Sequence, residues 1–302
     1  MAGILGAMRL DPTSLRLFIA VLEEGSIAGA AEREHIAAAA VSKRISELED
    51  LLKTALLSRS NKGVEATAAG VALRSMARSA LHELENIEAS MRQYAAGVRG
   101  QVRVYANIST ITQFLPASIQ SFLAAHPDVQ IQLEEKISIH MPRQILENEA
   151  DLCVFTEGVP TPGLEVFPYR SDRLVVITPG KHPLARRKAV AIGDTLEYEH
   201  VGLHTGSLIF IWAMEAAAQL NRTLKIRISV TGYDALCLMV GHGLGIGILP
   251  ETVVTPFLKP LGLRKVRLEE PWAARRFLVG VRSYEALPTA ARLFVDHLRT
   301  EK

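Results

Sequence analysis

Leu15-Arg16-Leu17-Phe18-Ile19-Ala20-Val21-Leu22-Glu23-Glu24-Gly25-Ser26-Ile27-Ala28-Gly29-Ala30-Ala31-Glu32-Arg33 decides how the first part of this chain folds. Leu15, Leu17, Phe18, Val21 and Leu22 recur at helical spacing, so Ser14 to Leu22 reads as a helix. Gly25 stops it, and Ser26 is placed to cap a second helix running to Arg33. That second helix is rich in Ala28, Gly29, Ala30 and Ala31, small residues over which a third helix can cross closely. Two helices at a tight break with a third packed across them are the elements of a helix-turn-helix.

The third helix is expected from Ala38 to Leu52, because Val41, Ile45, Leu48 and Leu52 lie on one stripe. Ala39, Lys43, Ser46 and Asp50 face the other way, with Ser42 and Arg44 on the flanks. Its cations and hydroxyls crowd the N-terminal half and Glu47, Glu49 and Asp50 the C-terminal half, which suits an N-terminal half lying in a DNA major groove. An amphipathic surface helix with solvated charges would show the same stripe. Beyond it, Leu56 to Thr67 reads as two short strands around a turn at Asn61 to Gly63, a wing with Arg59 and Lys62 near its tip. Thr67 caps a long helix on which Leu73, Ala77, Ala80, Leu84, Ile87, Met91 and Tyr94 form a heptad-like seam, favouring a paired helix over one packed only on its own domain.

Composition sets bounds on the rest. With 302 residues, 48% hydrophobic and 22% charged, the chain can build two or three cores. The formal net charge of +2 does not announce a nucleic-acid binder, and cations and acids balance within the first 62 residues as well. DNA contact therefore has to come from local arrangement of Lys43, Arg44, Arg59 and Lys62. No apolar run has the length of a membrane span, and Met1 to Leu10 lacks signal-peptide features, so a soluble, cytoplasmic protein with no membrane partner is expected. Cys153 and Cys237 stand far apart without metal-ligand spacing. Neither a metal nor another cofactor is expected.

From Gly97-Val98-Arg99-Gly100, a plausible hinge, the pattern turns to short strands at 102–106, 129–133, 151–155, 174–178, 226–230, 245–249 and 277–281. Helices at 115–125, 142–148, 208–220, 233–243 and 288–299 alternate with them, which argues for an α/β fold. Ligands of such sheets sit beyond the carboxyl ends of strands and near helix N-termini. That rule selects Asn107, Ser109, Thr110, Thr156, His204, Ser207 and Thr231, although each alone could equally be a cap or a surface residue. Hydroxyls and helix N-termini suit an organic acid, while His204 and Asn107 also suit neutral polar ligands. Gly243, Gly245 and Gly247 precede a strand, so they read as a helix stop and strand entry and not as a dinucleotide fingerprint.

The stretches Leu15 to Val21, Glu24 to Ile27, Ala30 to Arg33, Val41 to Ile45, Leu48-Glu49, Leu57 to Arg59 and Thr67 to Gly70 resemble, in order and spacing, the N-terminal signature of the LysR-type transcriptional regulators. Leu115-Pro116, His126-Pro127, His182 to Ala185 and Gly243 to Pro250 extend the resemblance more loosely. It implies an α/β protein with an N-terminal winged helix-turn-helix at residues 1–67, a dimerisation helix at 68–96 and an effector domain at 97–302. The effector domain would resemble a periplasmic binding protein, with lobes at 97–170 with 275–302 and at 171–274, and strand crossings near Tyr169 to Arg173 and Pro271 to Arg276. Double-stranded DNA, a small-molecule effector, further copies of the chain in a homodimer or homotetramer, and RNA polymerase are the partners so implied.

Contact with DNA is expected from Ser26, Arg33, Ala38, Ala39, Ser42, Lys43, Arg44, Arg59, Lys62 and Thr67. One departure from the family is the run Ala37-Ala38-Ala39-Ala40 where polar residues or a proline are common. It removes amide contacts to adenine and shifts base reading toward thymine methyl groups, Ser42, Lys43, Arg44, the wing and DNA shape. Two rival classes are an enzyme, for which no nucleophile elbow, Walker loop or His-Glu-x-x-His occurs, and a thiol redox regulator, for which both cysteines lie among apolar residues. Trp212 and Trp272 read as packing residues, Trp272 beside the second crossing as a reporter of lobe closure, and Arg275 and Arg276 as solvated.

Overall fold

The computed structural model describes residues 10–60, 63–96 and 99–300, leaving aside the side chains of 59, 60, 85, 86 and 88–96. Lys62 therefore lies outside the described residues. The chain divides into two compact units, residues 1–97 with Glu147–Glu149, and the remainder.

In the first unit, α1 (Pro12–Glu24), α2 (Ile27–Arg33) and α3 (Ala38–Leu52) are followed by β1 (Leu57–Ser60), β2 (Gly63–Ala66) and α4 (Ala68–Ala96). Asp11 caps α1 by accepting from the Thr13 and Ser14 amides, and Gly25 ends that helix at φ 65°, a left-handed conformation glycine adopts freely. Ser26 caps α2 and Thr67 caps α4, each accepting from the amide three residues on at 3.0 Å. Leu17, Phe18, Val21, Ala30, Val41, Ile45 and Leu48 fill the three-helix core. Antiparallel β1 and β2 form the wing, tied to the helix-turn-helix by the Val64 amide on the Gly25 carbonyl at 2.9 Å.

The seam of α4 is split along its length. Leu73 and Ala77 are buried in this unit's own core, whereas Leu84 and Ile87 are exposed, as is Met76 about two turns before Leu84. The start of α4 thus packs into the winged domain through Leu73 and Ala77, while Met76, Leu84 and Ile87 stand exposed among the described residues.

The second unit runs β3 (Gly100–Ala106), α5 (Ile108–Gln113), α6 (Leu115–Ala125), β4 (Val129–Glu135), α7 (Met141–Leu146), β5 (Leu152–Thr156) and β6 (Glu165–Pro179). It continues through β7 (Ala189–Val190), α8 (Ile192–Thr195), β8 (His200–Leu203), α9 (Leu208–Gln219), β9 (Ile226–Val230), α10 (Tyr233–Gly241), β10 (Gly247–Pro250), α11 (Glu251–Leu258), β11 (Leu263–Leu268), β12 (Ala274–Val281) and α12 (Thr289–Thr300). Strand order in the large sheet is β4-β3-β5-β12-β6-β11-β7, with β10 also on β6; β8 and β9 form a separate parallel pair. Parallel β3 pairs on both sides with β4 and β5, as buried βαβ strands do.

The fifteen residues of β6 do two jobs. Its first part, Glu165 to Arg173, pairs with β12, and Leu174 to Pro179 pairs with β10 and β11. Ala274 to Arg276 lie opposite Arg173 to Ser171, with a register shift between Arg276 and Leu278. Two cores sit on either side of this crossing. One is built on Val102, Phe122, Val154 and Phe294 and the other on Val176, Leu236, Ile246 and Leu249. The strand and helix pattern of the sequence recovered only the second part of β6 and omitted α5, α8, α11, β7, β8 and β11. A strand shared by two sheets shows no single alternation, and elements of two to eight residues leave too few periods to read.

Candidate functional site

The N-terminal half of α3 stands open. Ala38, Ala39, Ala40, Lys43 and Arg44 are exposed and Ser42 is half-buried, because burial of Val41, Ile45 and Leu48 turns the opposite stripe outward. Lys43 Nζ lies 3.8 Å from Glu47, a loose exposed pair. Arg44 Nη1 donates to Asp11 at 2.6 Å and to Ser14 at 3.3 Å. Burial pushes the Asp11 carboxyl up, but hydrogen bonds from Ser14 and Thr13 and the Arg44 charge outweigh it and leave the pKa lowered.

Arg33 is turned onto Glu23 at 2.7 Å and Glu24 at 3.4 Å, so its charge is engaged within the unit. Burial also raises Glu23, yet the hydrogen bonds from Arg33 and Arg78 hold its pKa below the usual value. Ser26 and Thr67 use their hydroxyls as caps, and the Thr67 hydroxyl also donates to the Ala55 carbonyl at 2.8 Å. Arg59 lies on β1 opposite Val64 in the wing. Glu49, on the acidic half of α3, accepts from the Leu56 and Leu57 amides at 2.8 and 3.1 Å and fixes the wing's first strand.

In the second unit, five of the seven residues selected from sequence line one open cleft: Asn107, Ser109, Thr156, His204 and Ser207. They come from the ends of β3 and β5, the start of α5 and the turn before α9. Asn107 organises the floor, donating to Ser138 at 2.9 Å and Thr156 at 2.8 Å while its oxygen caps α5 at the Thr110 amide. Thr110 is fully buried and hydrogen-bonds back to Asn107, so it supports the floor from behind. Thr231 is exposed after β9 and is not among the residues lining the cleft. His204 Nδ1 accepts from the Gly206 amide at 3.2 Å.

Sequence reasoning missed Tyr233, Lys136, Ser138 and above all Arg275, all of which line the cleft. Arg275 is only 4% exposed, where the sequence reading expected a solvated side chain. Its Nε donates to Asp172 at 2.8 Å, its Nη2 to the other oxygen of the same carboxylate, and its Nη1 to Ser109 at 3.2 Å. Ser109 and Tyr233 share a hydrogen bond of 2.7 Å, and burial raises the Tyr233 phenol pKa. A signal was present: strand alternation puts Arg275 on the same face as the buried Phe277 and Val279. A β-carbon on Gly158 would stand 3.3 Å from the Trp212 ring, so Trp212 packs closely over that turn. Trp272 packs against the second core.

Neither cysteine is suited to redox sensing. Burial drives the Cys153 thiol pKa far up and that of Cys237 up to about 11, which suppresses the reactive thiolate. Among the described residues no group of His, Cys, Asp and Glu could hold a metal, and no helix is long and apolar enough to cross a membrane.

Comparison with known proteins agrees with this division. The family model for the bacterial regulatory helix-turn-helix protein, lysR family, matches residues 12–71, and that for the LysR substrate binding domain matches residues 95–302. The HTH-type transcriptional activator IlvY of Salmonella typhimurium is 25% identical over 282 residues, covering 90% of this chain and 93% of that protein. The RuBisCO operon transcriptional regulator of Allochromatium vinosum is 26% identical over 296 residues, covering 97% of each. Among solved structures, full-length CbnR complexed with its target DNA superposes with TM-score 0.70 at 22% identity, covering 96% of this chain and 99% of CbnR.

Proposed function

From the premise that this chain belongs to the LysR family of DNA-binding transcriptional regulators, we propose that the N-terminal half of α3 reads the major groove and that the cleft beside Ser109 receives the effector. Ala38, Ala39, Ser42, Lys43 and Arg44 meet base edges and phosphates, and Arg59 and Lys62 of the wing reach the adjacent backbone. Ser26 and Thr67 hold helix N-termini toward phosphates. Arg33 keeps α2 on α1 through its glutamate pairs. The domain boundaries we assign are 1–67, 68–96 and 97–302, the last divided into lobes at 97–170 with 275–302 and at 171–274. Asn107, Ser109, Thr156, His204 and Ser207 contact the effector, with Thr110 supporting them.

A homodimer or homotetramer assembled through α4 accounts for exposed Met76, Leu84 and Ile87 on one side of that helix. The protein acts in the cytoplasm and answers to RNA polymerase as a regulator does. The relatives named above are regulators, which leaves the enzyme alternative without support.

The observation that carries the DNA reading is the outward stripe Ala38, Ala39, Lys43, Arg44 beside the wing. Genome-wide occupancy of the native protein and of Arg44→Ala tests it. Discrete sites weakened by the substitution, with the log–log salt slope reduced by about 0.9 per lost phosphate contact, are expected. Equal occupancy by Arg44→Ala and Lys43→Ala proteins would remove α3 from the groove.

A further inference from the structure

The formal net charge of the chain is only +2, yet its cations are unevenly placed. Residues 174–193 and 252–268 together hold eight Lys and Arg and no Asp or Glu. The fold brings these two stretches side by side in the second unit. There β11 lies between β6 and the edge strand β7, with Arg264 opposite Thr178 and Arg267 opposite Ala189. A short 3₁₀ turn, Pro183–Arg186, packs on both β6 and β11. The turns at 180 and 262 also meet, so closely that a β-carbon on Gly180 would stand 2.8 Å from the Gly262 carbonyl oxygen.

Acids just outside the two stretches match three of the eight charges: Asp194 pairs with Arg187, Glu251 with Lys265 and Glu269 with Arg267. Lys181, Arg186, Lys188, Lys259 and Arg264 are exposed and make no ion pair with any described residue. The Arg267 amide donates to the Lys188 carbonyl at 3.4 Å, which sets Lys188 about three residues of strand, roughly 10 Å, from Arg264. This edge of the sheet therefore concentrates positive potential that a polyanion would relieve.

The surroundings discriminate between polyanions. A specific protein interface has an apolar or aromatic centre and is depleted in Lys. Among the described residues neither stretch exposes a large apolar side chain, and three of the five unmatched cations are Lys. Charge without an apolar anchor is the character of a phosphate-backbone contact, which holds a duplex without reading its sequence. Duplex DNA carries one charge per about 1.7 Å of axis, dense enough to meet several of these side chains together.

We propose that this basic sheet edge is a sequence-independent docking surface for the phosphate backbone of duplex DNA, a contact additional to those of α3 and the wing. It raises affinity without adding sequence preference, and its contribution falls as salt rises. Neither the α3 reading nor the effector cleft is needed for it.

The test is lysine acetylation of the full-length protein, read by mass spectrometry, with and without a 60-bp random-sequence duplex at 100 mM KCl. We expect Lys181, Lys188 and Lys259 to be protected at least threefold by the duplex, while Lys225, paired with Glu197 elsewhere on the unit, is unchanged. Lys43 reports on α3 separately. Protection of Lys43 alone would overturn the second surface and keep the α3 reading; protection of the three lysines without Lys43 would do the reverse. Stronger protection by poly-L-glutamate at equal charge would overturn DNA in favour of an acidic protein. Suppressed labelling before any DNA is added would mean that another copy of the chain covers the edge, and would overturn the proposal as well. A variant with Lys181→Gln, Arg186→Gln, Lys188→Gln, Lys259→Gln and Arg264→Gln should keep the parent's thermal stability. Its log–log salt slope for the same duplex should be shallower by at least about 1.8, two phosphate contacts' worth, and an unchanged slope would count against the surface.

Discussion

Replacing Glu49 by alanine should unfold the winged unit more readily than any other single change to the outer face of α3. One carboxylate oxygen accepts from the amides of Leu56 and Leu57, two residues that are 1% and 8% exposed. A hydrogen bond to a charged group contributes about 1.5–3 kcal/mol net, and an orphaned buried amide costs about 1–3 kcal/mol. Because both amides share one oxygen the two losses do not add, and we expect about 2–4 kcal/mol in total. For a unit of this size that is roughly 10 °C or more in Tm. Glu49→Gln keeps an acceptor in place without the charge and should lose about half as much. Urea unfolding of the full chain, read together with hydrogen exchange at the Leu56 and Leu57 amides, measures both. A loss below about 1 kcal/mol for the alanine variant, or equal losses for alanine and glutamine, would refute the clamp.

Gly70→Ala should destabilise the same unit severely, since the new β-carbon would stand 2.1 Å from the Leu56 carbonyl oxygen, whereas Gly243→Ala faces open space and should cost only about 1–2 kcal/mol for its left-handed backbone; thermal melts of the two variants compare them directly. His200 is buried and its pKa is pushed down to about 4, so the native state resists the proton that the unfolded chain takes up near 6.5. Its contribution, about 3 kcal/mol, is present above pH 6.5 and lost as pH falls toward 4. The acid slope of Tm over that window should flatten in His200→Gln, and an unchanged slope would assign it elsewhere. Finally, folded protein at pH 7.5 should resist a thiol reagent at both Cys153 and Cys237 and react at both once unfolded; prompt labelling in the native state would contradict their burial.

The winged domain was legible because its determinants are local. A glycine stop at Gly25, caps at Ser26 and Thr67, and one apolar stripe per helix specify each element within a few residues of sequence. Even the bounds of α3 follow from Ala38 to Leu52 directly. The effector cleft was half legible: strand ends and helix starts pointed to Asn107, Ser109, Thr156, His204 and Ser207, because backbone geometry places such positions at the edge of a sheet. Thr110 and Thr231 satisfied the same rule and still turned inward or away, since direction depends on packing that a linear rule does not contain.

What sequence alone determined, then, is the series of elements in the winged domain, the alternating character of the second unit and the family they belong to, since propensity, capping and periodicity act over one or two turns. The tertiary structure decided where charges end up. Arg33 and Arg275 look alike as letters, yet one is tied to glutamates on the surface and the other is held by Asp172 at a strand crossing 103 residues away in sequence. A buried cation exists only where a distant carboxylate is brought to it, because the desolvation of a lone charge is prohibitive. That pairing across β6 and β12 is a property of the folded sheet and of nothing shorter.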